Sequence, residues 1–316
     1  MGNNLVRQLV PHGFKVRCMV LPGENVSPLE SLEVQVVKGD VRDLHFLERA
    51  FQGAEIVYHL ASVISLLPQG RRLMEEVNVN GTRNVAEACL QTEMKRLLST
   101  SSVHALVEPG PRQNQDESMP TDPPRISMAY GQSKARATLE VMAAVKKGLD
   151  AVVILPTGMV GPYGYRPSEM GQFILALARG KLPAQVCGGY DFVDVRDVAQ
   201  AHILAAHKGS RGQCSSFQVN GCQSSTLWAN RQALPASARP EWCSDQPPPK
   251  RLGRVLTAYS MASGCKPLIT TDAVNTLLSN CSASSSKARR ELGYSPRPMS
   301  QTLQDTVQWF RDQGWL

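Results

Sequence analysis

Glu55-Ile56-Val57-Tyr58-His59-Leu60 is a short, nearly uninterrupted apolar run. A strand of that composition is buried on both faces, as in a parallel sheet with helices above and below it. The segments on either side fit that setting. Upstream, residues 3–12 have helical apolar spacing and stop at Gly13. Lys15 to Val20 and Glu33 to Val37 read as strands, the second closing at Gly39-Asp40, and Asp43 to Phe51 as a short helix. Downstream, Met74 to Thr92 reads as a long helix and Arg96 to Thr100 as a strand. Met128 to Lys147 is a second long helix and Ala151 to Leu155 a further strand. Strands alternating with helices at this spacing predict an α/β fold with a doubly wound, Rossmann-like parallel sheet.

Composition narrows the function classes. The chain has 316 residues, 42% hydrophobic and 19% charged, which describes a soluble globular protein of one or two lobes. No run is long enough to span a bilayer and no signal-peptide core is visible, so no membrane association is expected. The net charge of +7 is spread out. Its densest spots, Lys287-Arg289-Arg290 and Lys250-Arg251-Arg254, are short and lack interleaved aromatics, so no nucleic-acid partner is expected. The eight cysteines include no Cys-x-x-Cys and have no histidine at zinc-site spacing. They point to a reduced, cytoplasmic chain without a structural metal. Cys18 and Cys89 fall within apolar segments and read as buried thiols.

Chemistry enters with Tyr130-Gly131-Gln132-Ser133-Lys134 and the upstream run Ser99-Thr100-Ser101-Ser102. A Tyr and a Lys four residues apart share one helix face. An ammonium near a phenol favours the phenolate. A hydroxyl from a separate strand end could hold a carbonyl beside that phenol. Such a pair also occurs by chance on ordinary helix surfaces, so the rest of the chain decides its meaning.

Eight segments, those two among them, occur in a fixed order: Gly39-Asp40-Val41-Arg42-Asp43, His59-Leu60-Ala61-Ser62, Asn78-Val79-Asn80-Gly81-Thr82-Arg83-Asn84-Val85, Ser101-Ser102, Tyr130-x-x-x-Lys134, Pro156-Thr157-Gly158-Met159-Val160-Gly161-Pro162, Phe192-Val193-Asp194-Val195-Arg196-Asp197-Val198-Ala199 and Lys287-Ala288-Arg289-Arg290-Glu291-Leu292-Gly293-Tyr294. The set resembles the extended short-chain dehydrogenase/reductases, near the dihydroflavonol-4-reductase-like and NAD-dependent epimerase/dehydratase group. The resemblance runs from residue 2 to about 213 and from about 265 to 312.

It implies an NAD(P)-dependent oxidoreductase that reduces a ketone or aldehyde, or oxidises a secondary alcohol, by hydride transfer. Ser102 would orient the substrate carbonyl and Tyr130 would be the acid or base. Lys134 would hold the nicotinamide ribose and lower the Tyr130 pKa. Asp40 and Val41 would meet the adenine. Leu60, Ala61 and Ser62 would pass over the phosphate-ribose region, with Asn80 in the helix beneath the site. Pro156, Thr157, Gly158 and Val160 would line the nicotinamide pocket. Asp194 and Asp197 stand at a helix start and read as caps. NAD and NADP are left open: Leu21 stands where many such reductases have Arg, and Arg17 lies inside its strand. The oligomeric state is open too, with a homodimer as the candidate assembly.

The resemblance implies a dinucleotide-binding domain over 1–156, with 191–205 returning to it. A smaller C-terminal substrate lobe would comprise 157–190 and 206–316. Two departures accompany it. The chain begins at the first helix, with Gly2 as the last glycine of a phosphate-binding turn, so the first strand and most of that turn are expected to be missing. Residues 214–264 show no sustained helical period and read as a variable loop or a shifted reading frame. Two other functions stay open: a sugar-nucleotide epimerase or dehydratase with retained NAD, for which Arg166 is the suggestive residue, and a truncated, weakly active or non-catalytic dinucleotide-binding protein.

Overall fold

The structure, a computed structural model, describes residues 1–65, 68–109, 114–166, 168–180, 184–186, 191–217, 242–244 and 283–316. The chain opens with α1 (Gly2–Leu9), closed by a 3-10 turn and by Gly13 at φ 81°, a left-handed position that suits glycine. Strands β1 (Val16–Val20) and β2 (Val34–Lys38) pair in parallel. Helix α2 (Leu44–Phe51) follows, its first turn capped by Asp43, which accepts from the Phe46 amide at 2.9 Å.

Next come β3 (Ile56–His59), α3 (Arg71–Met74), a π-helical segment (Glu75–Asn80), α4 (Gly81–Gln91) and β4 (Arg96–Thr100). The 18-residue α5 (Ala129–Lys146) leads to β5 (Ala151–Pro156) and β6 (Gly158–Val160). Then follow α6 (Glu169–Ala178), β7 (Ala184–Val186), β8 (Phe192–Asp194), α7 (Val195–Lys208), β9 (Gln213–Phe217) and β10 (Trp242–Ser244). Two helices, α8 (Ser286–Leu292) and α9 (Met299–Asp312), end the described chain.

Strands β3, β4, β5 and β9 form a four-stranded parallel sheet in the order β3-β4-β5-β9. Among the described residues β1–β2, β6–β8 and β7–β10 are separate parallel pairs. Every residue of β5 is buried. Its side chains alternate between two cores, as the period of two requires. Ala151, Val153 and Leu155 pack with Val85, Ala86, Ala135 and Val141 of α4 and α5. Val152 and Ile154 face Ala201 and Ala205 of α7 and Ala288 and Leu292 of α8. Each fully buried large aliphatic side chain there contributes about 1.5–3 kcal/mol, so β5 anchors both layers.

The expected α/β class, parallel sheet and helix order hold. Residues 213–217 differ from expectation. Gln213-Cys214-Ser215-Ser216-Phe217 forms a parallel strand against β5 although its composition is polar. Pairing with an already buried strand outweighs weak intrinsic preference. The rest of the 214–264 reading, apart from 242–244, lies outside the described residues. Among the described residues no helix is long and apolar enough to cross a membrane, and no cluster of metal-ligating side chains occurs. Cys89 is buried and Cys18 half-buried, both as free thiols.

Candidate active site

The site lies where β3, β4 and β5 end and α5 begins. Ser101 and Ser102 follow β4 and have different tasks. The Ser101 hydroxyl is buried and bonded to Thr138 Oγ1 of α5 at 2.7 Å, which ties strand to helix. Ser102 has extended backbone and caps the next 3-10 turn by accepting from the His104 amide at 3.3 Å. Helix α5 approaches this turn closely: a Cβ on Gly131 would stand 2.6 Å from the His104 carbonyl oxygen, so glycine is needed there.

Tyr130 is half-buried in the first turn of α5. Burial pushes its pKa up to about 12, and hydrogen bonding from Ser62 and from Ser102 opposes that rise. His104 meets the phenol ring edge-on with centroids 6.5 Å apart. Lys134, one turn further on, is only 5% exposed. Its ammonium donates to the Thr100 carbonyl at 2.9 Å, and burial brings its pKa down to about 8. Among the described residues no carboxylate pairs with it. The causes acting on Tyr130 are burial and the two serines; the Lys134 charge is felt instead by His59, whose pKa burial and Lys134 bring down to about 3.

The helix beneath the site holds a residue that the sequence reading missed. Asn80 lies half-buried at the end of the π segment, where its side chain accepts from Arg83 at 3.0 Å. Asn78 is the inward residue, 1% exposed. Its Oδ1 accepts from Ser62 Oγ (3.2 Å) and from the Val63 amide (2.8 Å). Its Nδ2 donates to the Val63 carbonyl (2.9 Å) and to Ser133 Oγ (3.0 Å). Six residues of π-helix alter the helical phase. Uniform α spacing across 74–92 could not indicate which asparagine faces inward. The crowding of Gly81 against Val41 is a second signal in the same motif: a Cβ there would meet Val41 Cγ2 at 2.6 Å.

The remaining candidates are distributed as follows. Gly2 begins α1, and a Cβ there would make only ordinary contact, 3.8 Å from Leu60 Cδ1. No side chain caps α1. Asp40 is gripped by Arg42, whose guanidinium lies 2.7 Å from Oδ2 and holds the carboxyl below its usual pKa range. The Val41 side chain is buried in the main core. Leu60 is half-buried, while Ala61 and Ser62 are exposed. Pro156 ends β5, Thr157 and Val160 are buried, and the Gly158 amide donates to the Asp191 carbonyl.

Arg17 is held by groups of neighbouring elements. Its guanidinium bonds Gln35 and the carbonyls of Ala50 and Gln52 at the end of α2. Asp194 caps α7 by accepting from the Arg196 amide at 2.7 Å, and it also pairs with the Arg196 guanidinium at 2.6 Å. Asp197 accepts from the Arg297 amide at 2.8 Å. Both aspartates are structural.

A buried ammonium with one carbonyl acceptor and no acid has donors to spare. That arrangement fits the hydroxyl groups of a nicotinamide ribose. The start of α1, which no side chain caps, likewise fits a diphosphate.

Comparison with known proteins identifies the family. The model of the NAD dependent epimerase/dehydratase family matches residues 1–219. Sterol demethylase protein B of Methylococcus capsulatus is 32% identical over 320 residues, covering 100% of this chain and 97% of the relative. A putative dihydroflavonol 4-reductase of Synechocystis is 30% identical over 325 residues, covering 100% and 93%. The crystal structure of gox2253 superposes with a TM-score of 0.86 at 30% identity, covering 100% of this chain and 96% of that one. The Bordetella bronchiseptica enzyme WbmG, solved in complex with NAD, shares the fold with a TM-score of 0.76 at 19% identity, covering 99% and 91%. None of these matches confirms the expectation of a missing first strand. The chain belongs to the NAD dependent epimerase/dehydratase family.

Proposed function

We propose that the protein is an NAD(P)-dependent oxidoreductase that interconverts a ketone or aldehyde and the corresponding alcohol on a small molecule, with Ser102, Tyr130 and Lys134 as its working residues. One observation carries the reading. The Tyr130 phenol, whose burial-raised pKa is opposed by Ser62 and Ser102, stands one helical turn from a buried ammonium that pairs with no carboxylate among the described residues. Bound nicotinamide supplies or accepts the hydride. Lys134 and the loop at Leu60, Ala61 and Ser62 hold the cofactor's ribose. Ser102 orients the substrate oxygen, and Tyr130 gives that oxygen a proton in reduction or takes it in oxidation. Asn78 positions Ser62 and Ser133 around Tyr130.

The names of the curated relatives point to polycyclic substrates. They include a sterol demethylase protein, a dihydroflavonol reductase and an Arabidopsis 3beta-hydroxysteroid-dehydrogenase/decarboxylase. A hydroxyl or ketone on a fused-ring scaffold is therefore the first substrate class to test. The sugar-nucleotide reading has less support, because Arg166 is paired with Glu24 at 3.1 Å.

The test is turnover of steroid and flavonoid ketones and alcohols with added NAD(H) or NADP(H), for the protein and for Tyr130→Phe. Cofactor-dependent turnover that falls by about 10²–10⁴ in the variant is expected. Equal turnover by both proteins, or turnover of a sugar nucleotide without added cofactor, overturns the reading.

A further inference from the structure

His202 is fully buried on α7, and both of its ring nitrogens have partners. Nδ1 lies 2.8 Å from the Val198 carbonyl oxygen, and Nε2 lies 2.7 Å from Thr100 Oγ1. A carbonyl can only accept, so Nδ1 carries a proton. Burial brings the ring pKa down to about 4, so the imidazole is neutral and that proton is its only one. Nε2 therefore accepts, and the Thr100 hydroxyl donates to it. The Val198 carbonyl thus settles both the tautomer and the direction of the hydroxyl.

Thr100 is the last residue of β4, and its backbone carbonyl accepts from the Lys134 ammonium at 2.9 Å. Side chains alternate along a strand. Thr100 accordingly reaches α7, while Ser101 reaches α5 and bonds Thr138 at 2.7 Å. The peptide unit between them is pinned at its N–H, which donates to the Ile154 carbonyl at 2.7 Å. Its carbonyl meets Lys134. On α5 the Lys134 carbonyl accepts from Thr138 Oγ1 at 2.9 Å, so the lysine is fixed at its backbone as well. Among the described residues the Thr100 hydroxyl bonds His202 alone.

We infer that His202 is a positioning residue for Lys134: through Thr100 Oγ1 it sets the direction of the carbonyl that receives the buried ammonium. It acts from the opposite helical layer, where its neighbours Val198, Ala199, Ala201 and Ala205 are buried and apolar. The inference rests on Lys134 being a working residue of the proposed reaction. Two other titratable groups bear on the pair. The Met1 ammonium acts on His202 and helps to keep it neutral. His59, at the end of β3, feels the Lys134 charge and is neutral too.

The test is the ionisation of Lys134, read directly. Lysine carrying carbon-13 at Cε is incorporated, and the Lys134 signal is the one missing from the NMR spectrum of Lys134→Met. Its shift is followed against pH in the parent and in Thr100→Val, Thr100→Ser, His202→Asn and His202→Gln, with circular dichroism confirming the fold of each. Valine keeps the shape of Thr100 without its hydroxyl. Asparagine is too short to meet Thr100, whereas glutamine can reach it. Thr100→Val and His202→Asn are expected to lower the Lys134 midpoint by about half a unit to one unit, part of a hydrogen bond to a charged group. Thr100→Ser and His202→Gln are expected to titrate like the parent. The sign separates this role from a merely structural one: loosened packing would hydrate Lys134 and raise its midpoint toward 10.5. An unmoved or raised midpoint in Thr100→Val or His202→Asn, or no recovery with serine or glutamine, overturns the inference. Should the histidine variants not fold, the two Thr100 variants decide alone, because His202 is the partner of that hydroxyl. The titration needs neither substrate nor cofactor. A failed turnover assay therefore counts against the oxidoreductase reading alone, and an unmoved titration against the His202 role alone.

Discussion

Replacing Asn78 by alanine tests the phase of the π segment. Asn78 makes four hydrogen bonds from a side chain that is 1% exposed. Alanine leaves the Val63 amide and carbonyl unpaired and removes the donor to Ser133. A buried backbone group without its partner costs about 1–3 kcal/mol. Val63 is half-buried, so water relieves part of that loss. Ser133 keeps its bond to the Tyr130 carbonyl, and Ser62 is exposed enough to hydrate. The sum is a loss of about 2–4 kcal/mol in stability. The control is Asn80→Ala. Asn80 offers only an acceptor to Arg83, and Arg83 keeps its ion pair with Glu140 at 2.7 Å. Surface changes of that kind stay within about 0.5 kcal/mol. Urea denaturation of the protein and both variants gives the comparison. An Asn80→Ala loss equal to that of Asn78→Ala would refute the assignment of Asn78 as the inward residue.

Three further outcomes are expected. Lys134→Met should abolish turnover yet melt higher than the parent at pH 7. The folded Lys134 pKa is lowered to about 8 from 10.5, so its charged form costs stability in full below about pH 8; removing it should return about 1–3 kcal/mol, and a lower melting point would contradict this. Asp191→Asn should stabilise the protein at pH 8 by about 2–4 kcal/mol and much less at pH 4. The Asp191 carboxyl is 1% exposed, its Oδ1 has no partner, and burial pushes its pKa up to about 7 from 3.8, so its stability contribution is present below about pH 4 and lost as pH rises through about 7; parallel melting curves across this range would speak against it. Asp194→Ala should cost about 2–5 kcal/mol in denaturant unfolding, because the helix cap is lost and Arg196 is left with Asp305 alone, and Asp194→Asn should cost less because it keeps the helix cap; equal losses would show that the charge pair, not the cap, dominates.

Legibility in the sequence followed the reach of each signal. The burial of β5 and the facing of Tyr130 and Lys134 depend on periods of two and of four within one element, and both were readable from residue order. The cap at Asp194 was readable for the same reason. Asn78 was not, because the phase of a helix depends on a π segment that apolar spacing does not announce. The strand at 213–217 was not either, because Ser215 and Ser216 carry no β signal of their own and pair only because β5 offers an edge. The two tasks of Ser101 and Ser102 were settled by a partner 37 residues away, Thr138. In the sequence Arg17 reads as lying inside its strand and Arg166 as the suggestive residue for a sugar nucleotide. Each is held by groups distant in the chain: the end of α2 for Arg17 and Glu24 for Arg166.

The electrostatics of the site follow from what is absent around one cation. Burial holds His59, His104 and His202 neutral, with pKa values near 3, 4 and 4. Thr82 binds His59 and Thr100 binds His202 through hydroxyls rather than carboxylates. Lys134 faces a carbonyl and pairs with no carboxylate among the described residues, while the Met1 ammonium is a second positive charge, felt by His202. An ammonium held without an acid destabilises the fold. A carboxylate in its place of contact would relieve that cost, but it would also cancel the positive potential on which a neighbouring ribose and a developing phenolate depend. The neutral histidines and the hydroxyl-only lining have the same consequence. The site thus gives up stability to keep the Lys134 charge uncancelled.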